Sequence, residues 1–546
     1  MYRSFKNYLA AGFGAAGVVI LPITRSMLSP SHTVGSSLSE EQYLRYAGHR
    51  KWADIARWVF FVIFYALCAN IPFWAASRWL GIRPIGLVCT EYALMGVLAL
   101  FMPRTVPAAL LLLVIAADLT CAVSKTYYLT PADCLANLNF IQELPGSRLL
   151  YLFAVAAFTL IVIAVAIYFP VAKMRRSHRL RAAACLIAFI LMAEFADYLE
   201  VVRETGHILT PFQLARPGNK IILSDFENFW IARNPTIRLM KEEKVTGIKR
   251  NAMSASQGDH SPVESAAAMA IRSAGIVDGK EAQAIPNVVL VLVESWGLDT
   301  DSAVRDSFAS PYSQPDLLAR YKVLQGTVPF YGSTVPGEAR ELCGNKIGFQ
   351  IMNISKQESQ SCLPARLDSL GYHSIALHGL VGDMFSRSTW YDIIGFHEQW
   401  FRDRFRQQGL PDCPGPFVGT CDANIAEWIG RFLEKRTANP NFVYWVTLNS
   451  HLPVPVPSAL PASAPCSLTP LLSNEPVLCS WYQLVYNVHS SLSKIAMADL
   501  GRPTVFVIVG DHAPPWANPN LLSQFSSTEV PYVILLPRQE HQYGKS

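Results

Sequence analysis

The chain reads as an α-helical membrane domain followed by an α/β domain with a mostly parallel sheet flanked by helices. Three observations predict this. Apolar residues make up 51% of the 546, against 16% charged, and the excess lies before about position 200, where long uncharged runs recur. After Ile285 the pattern changes to short apolar runs alternating with amphipathic ones, as in α/β domains. Several of those short runs end on Glu, His or Asp, and open α/β sheets bind ligands at the carboxyl ends of their strands.

Residues 1–199 are assigned to the membrane domain. Tyr8 to Ile23 is apolar and rich in Gly and Ala; a span, a surface helix and a signal-like segment all remain open for it. Five clearer spans follow at Trp58–Ala76, Ile85–Met102, Val106–Thr120, Leu149–Phe169 and Ala182–Ala196, several near the ~20 residues a helix needs to cross hydrocarbon. The first segment would make six. The basic loop Lys173 to Arg181 belongs in the cytoplasm by the positive-inside rule, and Arg45, Arg50, Lys51 and Arg57 agree. Arg78 and Arg83 fall on the opposite side. The fifth span then exits outward, which predicts a multi-pass protein with its second half on the extracytoplasmic side. Glu91 and Asp118 lie within apolar runs. They read as lipid head-group contacts or as acids near helix ends reaching interfacial water.

Residues 200–284 form a juxtamembrane linker in this reading. Asp225 to Arg233 mixes aromatics and charges, as an interfacial helix or a docking surface would. Asn251 to Pro262 has loop composition.

Residues 285–546 are assigned to the outer domain. Its strand-like runs are Asn287–Val293, Ser374–Leu377, Phe442–Leu448, Thr504–Val509 and Val530–Leu536, with helix-like runs at Asp422–Lys435 and Trp481–Ala498. The run to Val293 is valine-rich and uninterrupted, the mark of a central strand buried on both faces. Six cysteines fall in close pairs, Cys343/Cys362, Cys413/Cys421 and Cys466/Cys479. That favours disulfides in an oxidising compartment, paired sequentially, over free buried thiols. The net charge of +5 comes without a basic stripe interleaved with aromatics, so nucleic acid is not an expected partner.

The strand ends deliver Glu294, His378, His451 and Asp511-His512. Four polar ends imply one crevice. Glu, Asp and His suit zinc or manganese rather than a thiolate-bound metal, so one divalent metal, Zn or Mn, is the expected cofactor. No second metal site is evident. Thr334 lies before a Val-Pro and a helix-like run, an N-cap position in which backbone N–H groups would stabilise a phosphate on its hydroxyl. A threonine hydroxyl becomes a competent nucleophile when metal coordination favours its alkoxide. A purely structural cap is the other reading of the same segment.

These residues carry a resemblance. The strand ending in Glu294, then Gly332-Ser333-Thr334 with Glu338 four residues on, then His378-Gly379 with Phe385-Ser386-Arg387, then Asn449-Ser450-His451, then Gly510-Asp511-His512, resemble the extracytoplasmic domain of the alkaline phosphatase superfamily. The branch most similar is the sulfatase-like membrane phosphoglycerol and phosphoethanolamine transferases, including lipoteichoic acid synthase. The resemblance implies Glu294, Thr334, Asp511 and His512 as metal ligands, Thr334 as nucleophile and His451 as the residue assisting the leaving oxygen. It implies Arg387 and His378 as substrate-binding residues; a turn or supporting histidine is the other reading of His378. Phe385 stands where the synthases carry tryptophan. Sulfatases place Cys or Ser before x-Pro-x-Arg to make formylglycine; Thr334-Val335-Pro336-Gly337-Glu338 cannot form it.

The implied activity is transfer of a phosphoglycerol or phosphoethanolamine head group from a membrane phospholipid donor, through phosphothreonine, to a glycan or glycolipid acceptor outside the bilayer. A membrane-anchored phosphodiesterase of the same superfamily is the competing enzyme reading. A transporter or lipid-binding protein with an inert outer domain is the competing class.

Overall fold

The computed structural model describes residues 55–80, 88–126, 146–168, 174–205, 259–276 and 285–538, apart from 414, 416, 436, 455–464 and 517, together with a few isolated positions. The readings at Tyr8–Ile23 and Asp225–Arg233 lie outside the described residues.

In the amino-terminal part the described helices include α1 (Ile71–Leu80), α2 (Thr90–Ala99), α3 (Thr105–Thr126), α4 (Gly146–Tyr168) and α5 (Arg176–Thr205). Among the described residues three stretches are long and apolar enough to cross a membrane: Ile55–Ala76, Thr105–Val123 and Gly146–Ile167. On α4, Leu150, Phe153, Leu160 and Ile161 are each more than half exposed, an apolar surface that lipid accepts and water penalises. The first stretch is broken by a 3-10 turn at Cys68–Asn70. There the buried Asn70 donates to the Ala66 carbonyl and accepts from the Cys89 backbone N–H, which leaves its amide satisfied. The expectation for Ile85–Met102 needs correction. Residues 85–87 lie outside the described ones, and in the described remainder the helix covers only Thr90–Ala99, about 15 Å of rise, half the ~30 Å hydrocarbon thickness. Its start is set by the N-cap Cys89, which is extended and donates its backbone N–H to the Asn70 side chain. The fifth apolar run, 182–196, lies inside the 30-residue α5.

The outer domain has strands β1 (Asp259–Pro262), β2 (Asn287–Val293), β3 (Tyr321–Pro329), β4 (Asn345–Lys346), β5 (His373–His378), β6 (Glu398–Trp400), β7 (Asp412–Cys413), β8 (Gly419–Thr420), β9 (Asn441–Val446), β10 (Thr504–Gly510) and β11 (Glu529–Pro537). Seven form the central sheet in the order β3-β11-β10-β2-β9-β5-β6. The five from β10 to β6 run parallel, while β11 is antiparallel to both β10 and β3. Every residue of β2, β9 and β10 is buried, so their sequences are continuous Val, Ile and aromatic runs rather than alternating ones. The helices that matter for the site are α6 (Ala266–Ser273), α7 (Thr334–Cys343), α8 (Arg387–Ile393), α9 (Asp422–Glu434) and α10 (Pro476–Met497).

The fold corrects two readings. Asp259–Pro262, read as loop, is a strand antiparallel to β4, and α6 contributes Ala266, Ala267, Ala270 and Ile271 to the domain's core. The edge strand β3 lay outside the predicted strands; Lys322, Gln325, Gly326 and Thr327 dilute its apolar signal. The three cysteine pairs bond sequentially, Cys343–Cys362, Cys413–Cys421 and Cys466–Cys479.

Candidate active site

The register of two strands builds the centre of the site. Val293 pairs with Gly510 in the parallel β2–β10 ladder, so the next residues, Glu294 and Asp511, leave the sheet side by side. His512 follows immediately. One ligand atom from each of Glu294, Asp511 and His512 lies within 4.8 Å of the other two, and all three residues are buried.

The surroundings orient each group. Asp511 Oδ1 accepts the backbone N–H groups of Ser295 (2.7 Å) and His512 (2.6 Å), while its Oδ2 is buried without a hydrogen-bond partner. Nδ1 of His512 faces the Ala513 carbonyl at 2.8 Å, which places its proton there and directs the Nε2 lone pair inward. That Nε2 lies 3.3 Å from Asp511 Oδ2 and 3.5 Å from Glu294 Oε1. Ser295 sits in the left-handed region (φ 56°). In that conformation its hydroxyl donates to Glu294 Oε1 at 2.8 Å.

An orphaned buried carboxylate oxygen, a second carboxylate and an inward imidazole nitrogen are the donor set of a divalent oxygen/nitrogen site. Electrostatics point the same way. Burial, then the charge on Glu294, push Asp511 well above the usual carboxylate range. Burial lowers His512 and keeps it neutral. Burial opposes ionisation of Glu294, but His451, His512 and the hydroxyls of Ser295 and Thr334 hold it below the ordinary value. A cation among them would offset the cost of adjacent buried charges.

Thr334 was expected as an N-cap; the cap is Ser333, and Thr334 is the first residue of α7. Its hydroxyl is therefore not spent on capping and donates to Glu294 Oε2 at 3.0 Å. Helix α7 lies close to the ligand strand: a Cβ at Gly337 would meet the backbone and side chain of Asp511 at 3.2–3.3 Å.

The other anticipated residues come from β5, β9 and α8. His378, the last residue of β5, faces the Val446 carbonyl through Nδ1 at 3.1 Å; burial and the Arg387 charge lower it to about 3, so it is a neutral imidazole. His451 follows β9 in the Asn449-Ser450 turn. Its Nδ1 faces the Leu452 carbonyl at 2.7 Å, and its ring packs edge-on to Phe417. Arg387 is buried at the start of α8, with Nε on Glu338 at 3.0 and 3.3 Å and its Nη1 buried without a hydrogen-bond partner. The Tyr391 hydroxyl donates to the same Glu338 at 2.8 Å.

Five residues were not anticipated as parts of the site: Ser295, Gly337, Arg340, Glu341 and Asp422. Arg340 donates to the carbonyls of Gly510 (2.7 Å), Asp511 (3.4 Å) and Pro329 (3.1 Å), and through Nε to Glu341. Asp422, buried at the first turn of α9, accepts from Leu448 and Asn449 N–H and so braces the turn that carries His451. A charged pair at adjacent positions inside the helix-like run after Thr334 was the available signal for Arg340 and Glu341.

The fold and this site define a class of protein: an α/β enzyme domain with a metal-type cluster and a threonine hydroxyl at the carboxyl edge of a mostly parallel sheet. Residues 286–546 match the protein family described as Sulfatase. No curated relative matches the chain. Similar solved structures include the lipoteichoic acid synthase LtaP from Listeria monocytogenes (13% identity, 50% of this chain and 72% of that one, TM-score 0.35). The phosphoglycerol transferase GacH from Streptococcus pyogenes, in complex with sn-glycerol-1-phosphate, is another (15%, 52% and 77%, TM-score 0.30). A third is the C-terminal periplasmic domain of EcEptC from Escherichia coli (12%, 47% and 74%, TM-score 0.28).

Proposed function

We propose that the chain is a multi-pass membrane phosphotransferase that moves a phosphoglycerol or phosphoethanolamine head group from a phospholipid to an extracytoplasmic glycan or glycolipid. The observation that carries this reading is the Thr334 hydroxyl, 3.0 Å from Glu294 Oε2, beside the cluster of Glu294, Asp511 and His512. A zinc or manganese ion would be held by Glu294, Thr334, Asp511 and His512. Bound there, it supplies Lewis-acid stabilisation of phosphoryl oxygens and favours the threonine alkoxide.

The residues of the chain do the rest. Thr334 gives up its proton along the hydrogen bond to Glu294, and its oxygen bonds to phosphorus as the phosphorus–oxygen bond to diacylglycerol breaks. His451 protonates the departing oxygen. In the second half-reaction the acceptor hydroxyl bonds to phosphorus and passes its proton to His451, and the threonine oxygen leaves and regains its own proton. Arg387, held by Glu338, offers its buried Nη1 to the phosphoryl group. The apolar helices keep the domain at the bilayer, where a lipid donor arrives by lateral diffusion.

The test uses the full chain in detergent micelles with phosphatidylglycerol or phosphatidylethanolamine labelled in the head group. Diacylglycerol release from one donor and a phospho-adduct on Thr334 by peptide mass spectrometry are expected. Thr334→Ala should lower release by at least about 10⁴-fold, as loss of a covalent nucleophile does. Release by that variant within tenfold of the wild type would refute the nucleophile assignment. Label appearing in water rather than on glycans of expressing cells would convert the reading to hydrolysis.

A further inference from the structure

We propose that the segment 259–276, which lies amino-terminal to the residues matching the Sulfatase family, is a positioning element of the metal site, acting through a Ala267–Glu341–Arg340 chain of hydrogen bonds on the backbone of Asp511. The inference rests on the metal reading above and deepens it.

The chain of contacts is continuous. β1 pairs with β4, Asp259 opposite Lys346 and Pro262 opposite Asn345, and Val263 N–H donates to the Gly344 carbonyl at 2.8 Å. This holds the segment against the carboxyl end of α7. Helix α6 then starts at an N-cap, Ser265, whose hydroxyl accepts from Ala268 N–H. Its first turn presents the Ala267 N–H to Glu341 Oε2 at 2.9 Å. The other oxygen of that carboxylate accepts from Arg340 Nε at 2.6 Å, and both side chains are buried to within 1% of full exclusion. The far end of the guanidinium grips the carbonyls of Gly510 and Asp511. One residue carries each link, and the last link is the backbone of a metal ligand.

The physics makes this more than packing. A buried guanidinium stays where its counter-ion and acceptors hold it, because an unpaired buried charge is costly. Glu341 has two oxygens, each taken by a different donor. Removing the α6 donor leaves a buried acceptor unsatisfied, and the carboxylate must shift to recover a partner. Arg340 shifts with it, and so do the carbonyls that set where Asp511 Oδ2 points. Metal ligands tolerate displacements of only about half an ångström before affinity falls, and partners behind the ligands are worth about 10–100-fold in affinity.

The test measures dissociation constants for zinc and manganese ions alone, by chelator competition, on the full chain in detergent micelles. Metal-free melting temperatures are recorded in parallel. In Glu341→Gln the amide offers one acceptor oxygen in place of two, so one of the two bonds is lost; affinity should fall about 10-fold or more. Arg340→Lys cannot reach three carbonyls and should lose about 10–100-fold. Ser265→Ala frays the start of α6 without touching the Arg340–Glu341 pair, and should weaken binding about threefold in a protein that folds. A role in stability alone would move the melting temperatures and leave the affinity of the folded protein unchanged. Folded Glu341→Gln and Ser265→Ala proteins with wild-type affinity would overturn the proposal. Glu294→Gln is the reference: if it binds like the wild type, the metal reading itself fails and the coupling with it.

Discussion

Replacing Asp511 with Asn should separate the metal from the fold. In the structure one oxygen of Asp511 anchors the backbone of Ser295 and His512, and the other faces His512 and Glu294 with no hydrogen-bond donor. An asparagine Oδ1 keeps both anchors, while its amide puts donors where the cation would sit. Without metal the wild type has adjoining buried carboxylates, and burial and Glu294 already push Asp511 well up. The neutral amide relieves that repulsion, so the metal-free variant should melt no lower than the wild type. Saturating metal is different. A cation at 100 times its Kd adds about 2.7 kcal/mol, which in a domain of this size raises Tm by roughly 5–10 °C. The variant should show none of that increment. Intrinsic fluorescence melts of the full chain in detergent, with chelator and then with zinc or manganese, measure both quantities. A proton on Asp511 competes with the cation, so the wild-type increment should also grow as pH rises. The reasoning is refuted if Asp511→Asn retains the increment, or if its metal-free Tm drops by more than about 5 °C.

Two further outcomes follow from the same geometry. Burial raises Asp422 to about 7, far above an unfolded value of about 3.9; its contribution is therefore full below pH ~4 and is lost as pH rises through about 7. Asp422→Asn should flatten the decline of unfolding free energy between pH 5 and 8 in urea titrations, and an unchanged slope would exclude Asp422 as its source. Cys343 closes α7 and bonds to Cys362, 19 residues on. Replacing both with Ser should lower stability by about 3 kcal/mol by chain entropy, read as a lower urea midpoint with a somewhat larger m-value, because the freed unfolded chain is more expanded.

Much of this protein is legible one residue at a time, and the exceptions have a common cause. β2 and β10 are legible because a strand buried on both faces needs an unbroken apolar run. Their terminal Glu294 and Asp511-His512 stand out because charge abruptly follows that run. The edge strand β3 is not legible, since one exposed side permits Lys322 and Thr327. β1 is not legible either: four residues with loop composition become a strand because β4 offers them an edge. The Ile85–Met102 run misleads in the other direction, because hydropathy counts apolar residues whatever their backbone does, and the extended Cys89 delays the helix to Thr90.

By itself the sequence determined the two-part organisation, the polar ends of the strands, the cysteine pairs and a threonine near the start of a helix, because each is written in consecutive residues with their own propensities. Only the tertiary structure decided that Val293 stands opposite Gly510, that Ser295 turns back on Glu294, and that Arg340 reaches the carbonyls behind Asp511. Those depend on strand register and on how one helix packs over another strand, and the partners are separated by as many as 217 positions, as Val293 and Gly510 are. Local preference carries no information over such a distance; burial and hydrogen-bond satisfaction in the folded chain do.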